Sequence, residues 1–223
     1  ILKNIKTRKI FDSPETSVFR AIRSKLMHLN AIENNEVRVI CVTSPCPGDG
    51  KTMVTANLAC LLSIMKKKTL VIDCDFRRAG LTSSFGLHER TGLVDYLSGS
   101  VPDWKSCIET YTSELHVLPR GNQLINPSEL LSDDRFPELL EILKKEYDFI
   151  LLDTTPVLGL AEEIVLKSAN LVLLTLVQNE TKLSDLKETL NLLYFNDIKK
   201  IGYVLNRNGN YSKHPHVAYS KAV

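Results

Sequence analysis

Residues 38–52 read RVICVTSPCPGDGKT, and the change of character along this stretch decides the fold. An apolar, β-branched run from Val39 to Val42 ends in a loop holding Pro47, Gly48, Asp49 and Gly50. Lys51 and Thr52 follow and open the helix-forming stretch MVTANLACLLSIM, which begins at Met53. A strand, a glycine loop and a helix in that order form a polyphosphate cradle. The loop N–H groups point inward, and the helix N-terminus adds partial positive charge. Lys51 can reach the β- and γ-phosphates, and the Thr52 hydroxyl can ligate Mg²⁺. Glycine is needed because side chains would block close approach and because some loop positions need positive φ. The strict pattern G-x-x-x-x-G-K-[ST] has glycine where this chain has Pro45, so the loop is a variant.

Two further segments read the same way. Residues 69–78, TLVIDCDFRR, are a buried-type strand ending in Asp73, Asp75 and Arg77, with Arg78 after them. Residues 147–156, YDFILLDTTP, are a second such strand ending in Asp153. Ligands of open parallel sheets gather at the carboxyl ends of the strands. An aspartate after a strand is by itself an ordinary turn or cap residue. Two such segments ordered behind a phosphate loop point instead to carboxylates gathered around bound phosphates.

The rest of the chain supplies the frame. Strands are expected at Val37–Thr43, Thr69–Asp73, Leu115–Leu118, Phe149–Asp153, Leu171–Val177 and Ile201–Asn206. Helices are expected at Thr52–Met65, Thr91–Leu97, Phe136–Glu146, Ala161–Ser168 and Leu183–Tyr194. This alternation predicts an α/β fold of three layers, a P-loop NTPase fold with a mostly parallel sheet covered on both faces. A leading helix over 13–32 starts with Ser13 as N-cap and Pro14 in the first turn. It repeats Val18, Ile22, Leu26 and Leu29 on one face, and Glu33-Asn34-Asn35 closes it. The domain spans 1–207. Residues 208–223, NGNYSKHPHVAYSKAV, are polar and aperiodic and predict a flexible tail.

Composition agrees with one well-cored domain: 223 residues, 43% hydrophobic and 24% charged. A net charge of +2 gives no strong field and argues against a nucleic-acid partner. Cys41, Cys46, Cys60, Cys74 and Cys107 form no C-x-x-C pair and read as thiols of a reducing compartment, with Cys46 alone inside the phosphate loop. No apolar run reaches the roughly 18 residues of a membrane span; the longest, Leu171–Val177, has the length of a strand. No signal peptide is recognisable, and a first residue of Ile1 rather than Met points to a piece of a longer protein.

Together these motifs resemble the bacterial tyrosine kinases of capsule and exopolysaccharide export, a branch of the MinD/ParA-like P-loop ATPases. Ser44 to Thr52 match S-x-x-P-G-[ED]-G-K-[ST], Leu70 to Arg77 match the apolar-D-x-D-x-R motif, and Ile150 to Pro156 match a Walker B of the form D-[ST]-x-P. Leu118 to Phe136 is similar to the family's linker ahead of that last strand. The resemblance runs from about Ser13 to Arg207, and D-x-D-x-R is its specific part. Cys46 stands where MinD and ParA carry a signature lysine, which turns the reading away from those positioning ATPases.

The resemblance implies an ATP-dependent protein-tyrosine autokinase with ATP and Mg²⁺ as cofactors. Pro47, Gly48, Asp49, Gly50, Lys51, Thr52 and Met53 would cradle the nucleotide, with Asn206 near the base. Thr52, Asp73 and Asp153 would hold the metal, Asp75 would face the acceptor hydroxyl, and Arg77 would steady the transferred phosphate. Tyr211 and Tyr219 in the tail would be the phosphoacceptors. Arg20 and Arg23 match the arginines of the family's ring-forming E-x-x-R-x-x-R helix, with Ser17 in place of its glutamate. Further departures are Thr155 in a position often held by proline, and Glu162 or Glu163 where an aspartate usually follows. The implied partners are a transmembrane polysaccharide co-polymerase, fused or separate, further copies of the chain in a ring, and a tyrosine phosphatase. The implied location is the cytoplasmic side of the bacterial inner membrane. The alternatives are an ATPase switch of the MinD/ParA type without tyrosine transfer, and a nucleotide-binding domain without turnover.

Overall fold

The computed structural model describes residues 14–32, 38–122, 127–131, 134–159, 163–206 and 219–221. In chain order the elements are α1 (Pro14–Ile32), β1 (Val39–Thr43), α2 (Lys51–Ile64), β2 (Thr69–Cys74), α3 (Gly80–Ser84) and α4 (Leu93–Leu97). Then come β3 (Glu109–Thr112), β4 (Leu115–Leu118), α5 (Pro127–Leu130), α6 (Arg135–Glu146) and β5 (Phe149–Thr154). The last are α7 (Glu163–Lys167), β6 (Leu171–Val177), α8 (Leu183–Phe195), β7 (Lys200–Asn206) and β8 (Tyr219–Lys221). Single turns of 3₁₀ helix lie at Trp104–Cys107 and Val157–Gly159.

The strands form one eight-stranded sheet in the order β3-β4-β2-β5-β1-β6-β7-β8. The interior pairs are parallel, and the two edge pairs, β3–β4 and β7–β8, are antiparallel. Strands buried on both faces read as near-continuous apolar runs, and every residue of β1, β2 and β5 is buried. Their alternate side chains feed two cores. Ile40, Val42, Val71 and Leu151 pack under α1, α2 and α3, against residues such as Ile22, Leu58, Leu62 and Leu81. Val39, Cys41, Ile72 and Leu152 pack on the opposite face against Leu93 of α4, Phe136 and Leu140 of α6, and Leu193 of α8. This is the three-layer α/β architecture that the strand–helix alternation predicts.

Several boundaries and elements differ from the sequence reading. Helix α4 begins at Leu93 rather than Thr91, because Gly92 is extended and lies against the Pro119 carbonyl; a Cβ there would stand 2.2 Å from that oxygen. Strand β3 was not expected, since ETYT is polar and lies half-exposed at the sheet edge with no apolar alternation to mark it. Short α3 was likewise unmarked. The tail also needs correction at one place: Tyr219–Lys221 are not free chain but form β8, pairing antiparallel with the start of β7. An open edge strand presents unpaired N–H and C=O groups, and three residues of the tail satisfy part of that edge. Ser13, Glu33-Asn34-Asn35, Glu162 and Tyr211 lie outside the described residues. Among the described residues no helix is long and apolar enough to cross a membrane.

Leu62 on α2 is fully buried in the core that backs the phosphate loop. Leu62→Ala is expected to lower unfolding free energy by about 2–5 kcal/mol. Urea denaturation at unchanged m-value would read this as a shifted midpoint.

Candidate nucleotide and phosphoryl-transfer site

The phosphate loop is shaped by two glycines and an internal carboxylate. Gly48 and Gly50 sit at φ 90° and 91°, in the left-handed region where a side chain is strained. A Cβ on Gly48 would meet nothing within 4 Å, so that face of the loop opens onto free space. A Cβ on Gly50 would stand 2.3 Å from the Asn206 amide nitrogen, so Gly50 also admits the end of β7 to the loop. Asp49 turns inward, and its Oδ2 accepts from the Cys46 N–H at 3.0 Å. Its backbone carbonyl accepts from Asn206 Nδ2 at 3.1 Å. These contacts give Asp49 and Asn206 a part in the shape of the loop; neither lines the cavity beside it.

Lys51 begins α2 and is nearly buried, at 7% exposure. Its Nζ donates to Ser44 Oγ at 3.1 Å, and Ser44 Oγ donates to the Cys46 carbonyl at 2.7 Å. Burial pushes the lysine pKa down, while Asp153, Asp75 and Asp49 oppose that shift. Thr52 Oγ1 donates to Asp153 Oδ2 at 2.7 Å. One turn later, Thr55 Oγ1 lies 3.2 Å from the other oxygen, Oδ1, and 3.0 Å from the Lys51 carbonyl, so its one hydrogen serves two acceptors.

Asp73 and Asp153 end adjacent parallel strands and are register partners, both fully buried. Asp73 Oδ2 accepts from the Thr82 backbone N–H at 2.8 Å and from Thr82 Oγ1 at 2.6 Å, and Oδ1 accepts from the Asp75 N–H at 3.1 Å. Burial raises the pKa of both carboxyls. The negative charge of Asp73 raises Asp153 further, whereas the Thr82 bonds hold Asp73 down.

Asp75 stands farther out. Its Oδ1 accepts from the backbone N–H groups of Arg77 and Arg78 at 3.2 and 3.0 Å, which fixes the carboxylate in a turn. A cavity of about 830 Å³ joins these parts: Gly48, Lys51 and Thr52 on one side, Asp75 and Arg77 on another, and Thr155 and Pro156 closing it. Met53 lines it too and is 41% exposed. Asp73 and Asp153 are not part of the lining and lie beneath Thr52 and α3. Lys51, Thr52, Asp153, Asp75, Arg77, Met53 and the glycines are thus brought together around or directly under one space. Arg20 and Arg23 lie away from it, half-exposed on α1, which packs on α2. Tyr219 pairs opposite Gly202 near the start of β7, whereas Asn206 at the end of β7 touches the phosphate loop. At about 3.3 Å per residue that is roughly 13 Å of strand.

The donor set suits a small hard cation. Thr52 offers a hydroxyl and Asp153 a carboxylate, and Asp73 lies level with Asp153 on the neighbouring strand, so a cation there would favour ionising the buried pair. The loop with outward space at Gly48 and the N-terminus of a 14-residue helix suit phosphate. Sequence reasoning passed over Thr55, Thr82, Gly80 and Arg120. No motif spacing marks them, because each acts on a catalytic candidate through the fold rather than through neighbouring sequence.

Comparison with known proteins bears on the same residues. The model of the AAA domain matches residues 37–206. CapB of Staphylococcus aureus, classed by name among the tyrosine-protein kinases, is 30% identical over 202 residues, covering 89% of this chain and 88% of CapB. The tyrosine-protein kinase ptk of Acinetobacter johnsonii is 32% identical, covering 92% of this chain and 28% of ptk. The chain therefore spans between a fifth and three tenths of the longer curated relatives it matches, the first of them at 26% and 28%. Among solved structures, the kinase domain of the Escherichia coli tyrosine kinase ETK superposes with a TM-score of 0.79 at 28% identity, covering 92% of this chain and 79% of that one. MinD of Aquifex aeolicus gives 0.64 at 26% identity, covering 77% and 70%.

Gly50→Ala is expected to lower both melting temperature and ATP affinity, the latter by about tenfold, since the added methyl meets Asn206 and the backbone is left-handed there. Adding Asn206→Ala should return part of the lost melting temperature, because only the steric share is relieved. Calorimetric titration with a non-hydrolysable ATP analogue and thermal melts of the three variants check both statements.

Proposed function

This chain belongs to the bacterial tyrosine kinases, a family built on the P-loop AAA domain, and from that premise we propose that it transfers the ATP γ-phosphate to tyrosines of its own or a neighbour's C-terminal tail. The observation that carries the reading is Asp75. It is a carboxylate held by two backbone amides on the wall of the phosphate-loop cavity, apart from Asp153 beneath Thr52. A carboxylate fixed there, separate from Asp153, suits a proton acceptor for an incoming hydroxyl.

Phosphoryl transfer asks chiefly for positioning and for neutralising charge on the equatorial oxygens. The loop amides from Pro47 to Gly50 hold the β-phosphate. Lys51 leaves Ser44 and takes the β- and γ-phosphate oxygens. A low-dielectric setting strengthens that pairing. Thr52 and Asp153 are the residues that would hold Mg²⁺, with Asp73 behind them, and the ion would supply positive charge to offset the phosphate oxygens. The acceptor phenol enters on the side of Asp75, which takes its proton as the tyrosyl oxygen bonds to the γ-phosphorus. The bond from that phosphorus to the β-bridging oxygen breaks, and ADP departs. Arg77 steadies the oxygens of the moving phosphoryl group.

Tyr211 and Tyr219 are the acceptors in this reading. Tyr219, as part of β8, starts from the far end of β7, so transfer to it requires β8 to leave the edge or a second copy to supply the active site. Arg20 and Arg23 on α1 would serve a contact between copies in a ring. A transmembrane polysaccharide co-polymerase on the cytoplasmic side of the inner membrane would serve as activator, and a tyrosine phosphatase would reset the tail. Polysaccharide polymerisation and export would be the regulated process.

Incubation with ATP and Mg²⁺, followed by peptide mapping, is expected to add about 80 Da at Tyr211 or Tyr219. Lys51→Met should abolish the increment with the fold intact, and Asp75→Asn should lower transfer by about a hundredfold or more with ATP binding little changed. Phosphotyrosine made by Lys51→Met would refute the assigned site. Equal losses of binding and transfer in Asp75→Asn would move Asp75 to the metal, and ADP release with unmodified tyrosines would favour an ATPase switch.

A further inference from the structure

Thr82 has no role in any motif, yet it makes three hydrogen bonds at the heart of the site. Its backbone N–H and its hydroxyl both donate to Asp73 Oδ2, at 2.8 and 2.6 Å. Its hydroxyl oxygen accepts from the Arg120 backbone N–H at 2.9 Å. An amide N–H can only donate, so the Thr82 oxygen is the acceptor there and its single hydrogen is directed at Asp73. The residue is 7% exposed and does not line the cavity.

Arg120 follows the end of β4, whose Leu118 is the register partner of Ile72, one residue before Asp73. Its guanidinium Nη1 donates to the Phe76 carbonyl at 3.3 Å, and Phe76 lies between Asp75 and Arg77. One short segment therefore holds the Asp73–Arg77 turn at two points: at Asp73 through Thr82, and at Phe76 directly. Helix α3, which carries Thr82, also abuts the phosphate loop, since a Cβ on Gly80 would stand 3.2 Å from Thr52 Oγ1.

We propose that Thr82 is a positioning residue for divalent-cation binding, its hydroxyl, oriented by the Arg120 N–H, fixing the Asp73 carboxylate level with Asp153 beneath Thr52. The inference rests on the reading of this cavity as a nucleotide–Mg²⁺ site. Partners that orient metal-site carboxylates typically change metal affinity by about 10–100-fold when removed. Valine matches threonine in shape and lacks the hydroxyl; serine keeps it.

The test is the Mg²⁺ concentration needed for half-maximal binding of a fluorescent ATP analogue, measured for the wild type, Thr82→Val and Thr82→Ser, beside the affinity for the analogue without Mg²⁺ and the melting temperature. Thr82→Val is expected to need at least about tenfold more Mg²⁺, with Mg²⁺-free affinity unchanged, and Thr82→Ser to stay within about twofold of the wild type. Wild-type Mg²⁺ dependence in Thr82→Val would overturn the proposal. So would equal losses in both variants tracking a fallen melting temperature, which would make Thr82 a packing residue. A wild type whose nucleotide binding ignores Mg²⁺ would instead sink the reading of the cavity itself.

Discussion

Asp73 and Asp153 set two carboxyl groups side by side, at the ends of neighbouring parallel strands and out of contact with water, and burial raises the pKa of each. Burying one unpaired carboxylate is expensive, and burying two together is more so. Much of the local structure answers that constraint. Thr52 and Thr55, three residues apart on α2, reach one oxygen each of Asp153. Thr82 and the Asp75 amide occupy Asp73. Lys51, itself desolvated, brings the nearest cationic charge. The result is a pair of buried carboxyls under a loop built to receive negative phosphates, and a cation between the two would favour ionising both and balance the phosphates.

The sheet order explains why the floor forms where it does. Strands β2, β5 and β1 are consecutive in the sheet although far apart in sequence. Parallel pairing puts their carboxyl ends at one edge, so Asp73, Asp153 and the loop after Thr43 meet there. Side-chain bonds then tie the loops together: Thr43 Oγ1 donates to the Thr155 carbonyl at 3.0 Å, and the Val157 N–H donates to the Ser44 carbonyl at 2.8 Å. The apolar faces on both sides of these strands fix their height relative to one another, because a one-residue slip would turn Leu151 and Leu152 each toward the wrong core.

What the sequence made legible follows from this division. Central strands are continuous apolar runs, and β4 and β6 appear at Leu115–Leu118 and Leu171–Val177 as read from the sequence. The phosphate loop, the D-x-D-x-R turn and the Walker B aspartate are local in sequence, so their residues could be named from spacing and resemblance. Thr82 and Arg120 could not, because their importance comes from the pairing of β2 with β4 and from a hydrogen bond across 38 positions. Nor could β3 or β8, whose short polar strands are stabilised by an available edge rather than by their own pattern.

Strand β7 connects the two halves of the problem. Its last residue, Asn206, donates to the Asp49 carbonyl and fills the space left by the missing side chain of Gly50, so the shape of the phosphate loop depends on where β7 ends. Its first residues, Lys200 to Gly202, pair with Tyr219–Lys221 of the tail. A seven-residue strand hydrogen-bonded along its length to β6 behaves as a stiff bar rather than a hinge. Its two ends are therefore fixed relative to each other, and a tail seated on β8 is held at a set distance from the loop. While Tyr219–Lys221 pair with β7, Tyr219 stands at the end of that strand away from the phosphate loop. Release of three residues of edge pairing would be a small change in structure, and in the proposed autokinase it would exchange ordered backbone bonds for an acceptor able to approach the cavity.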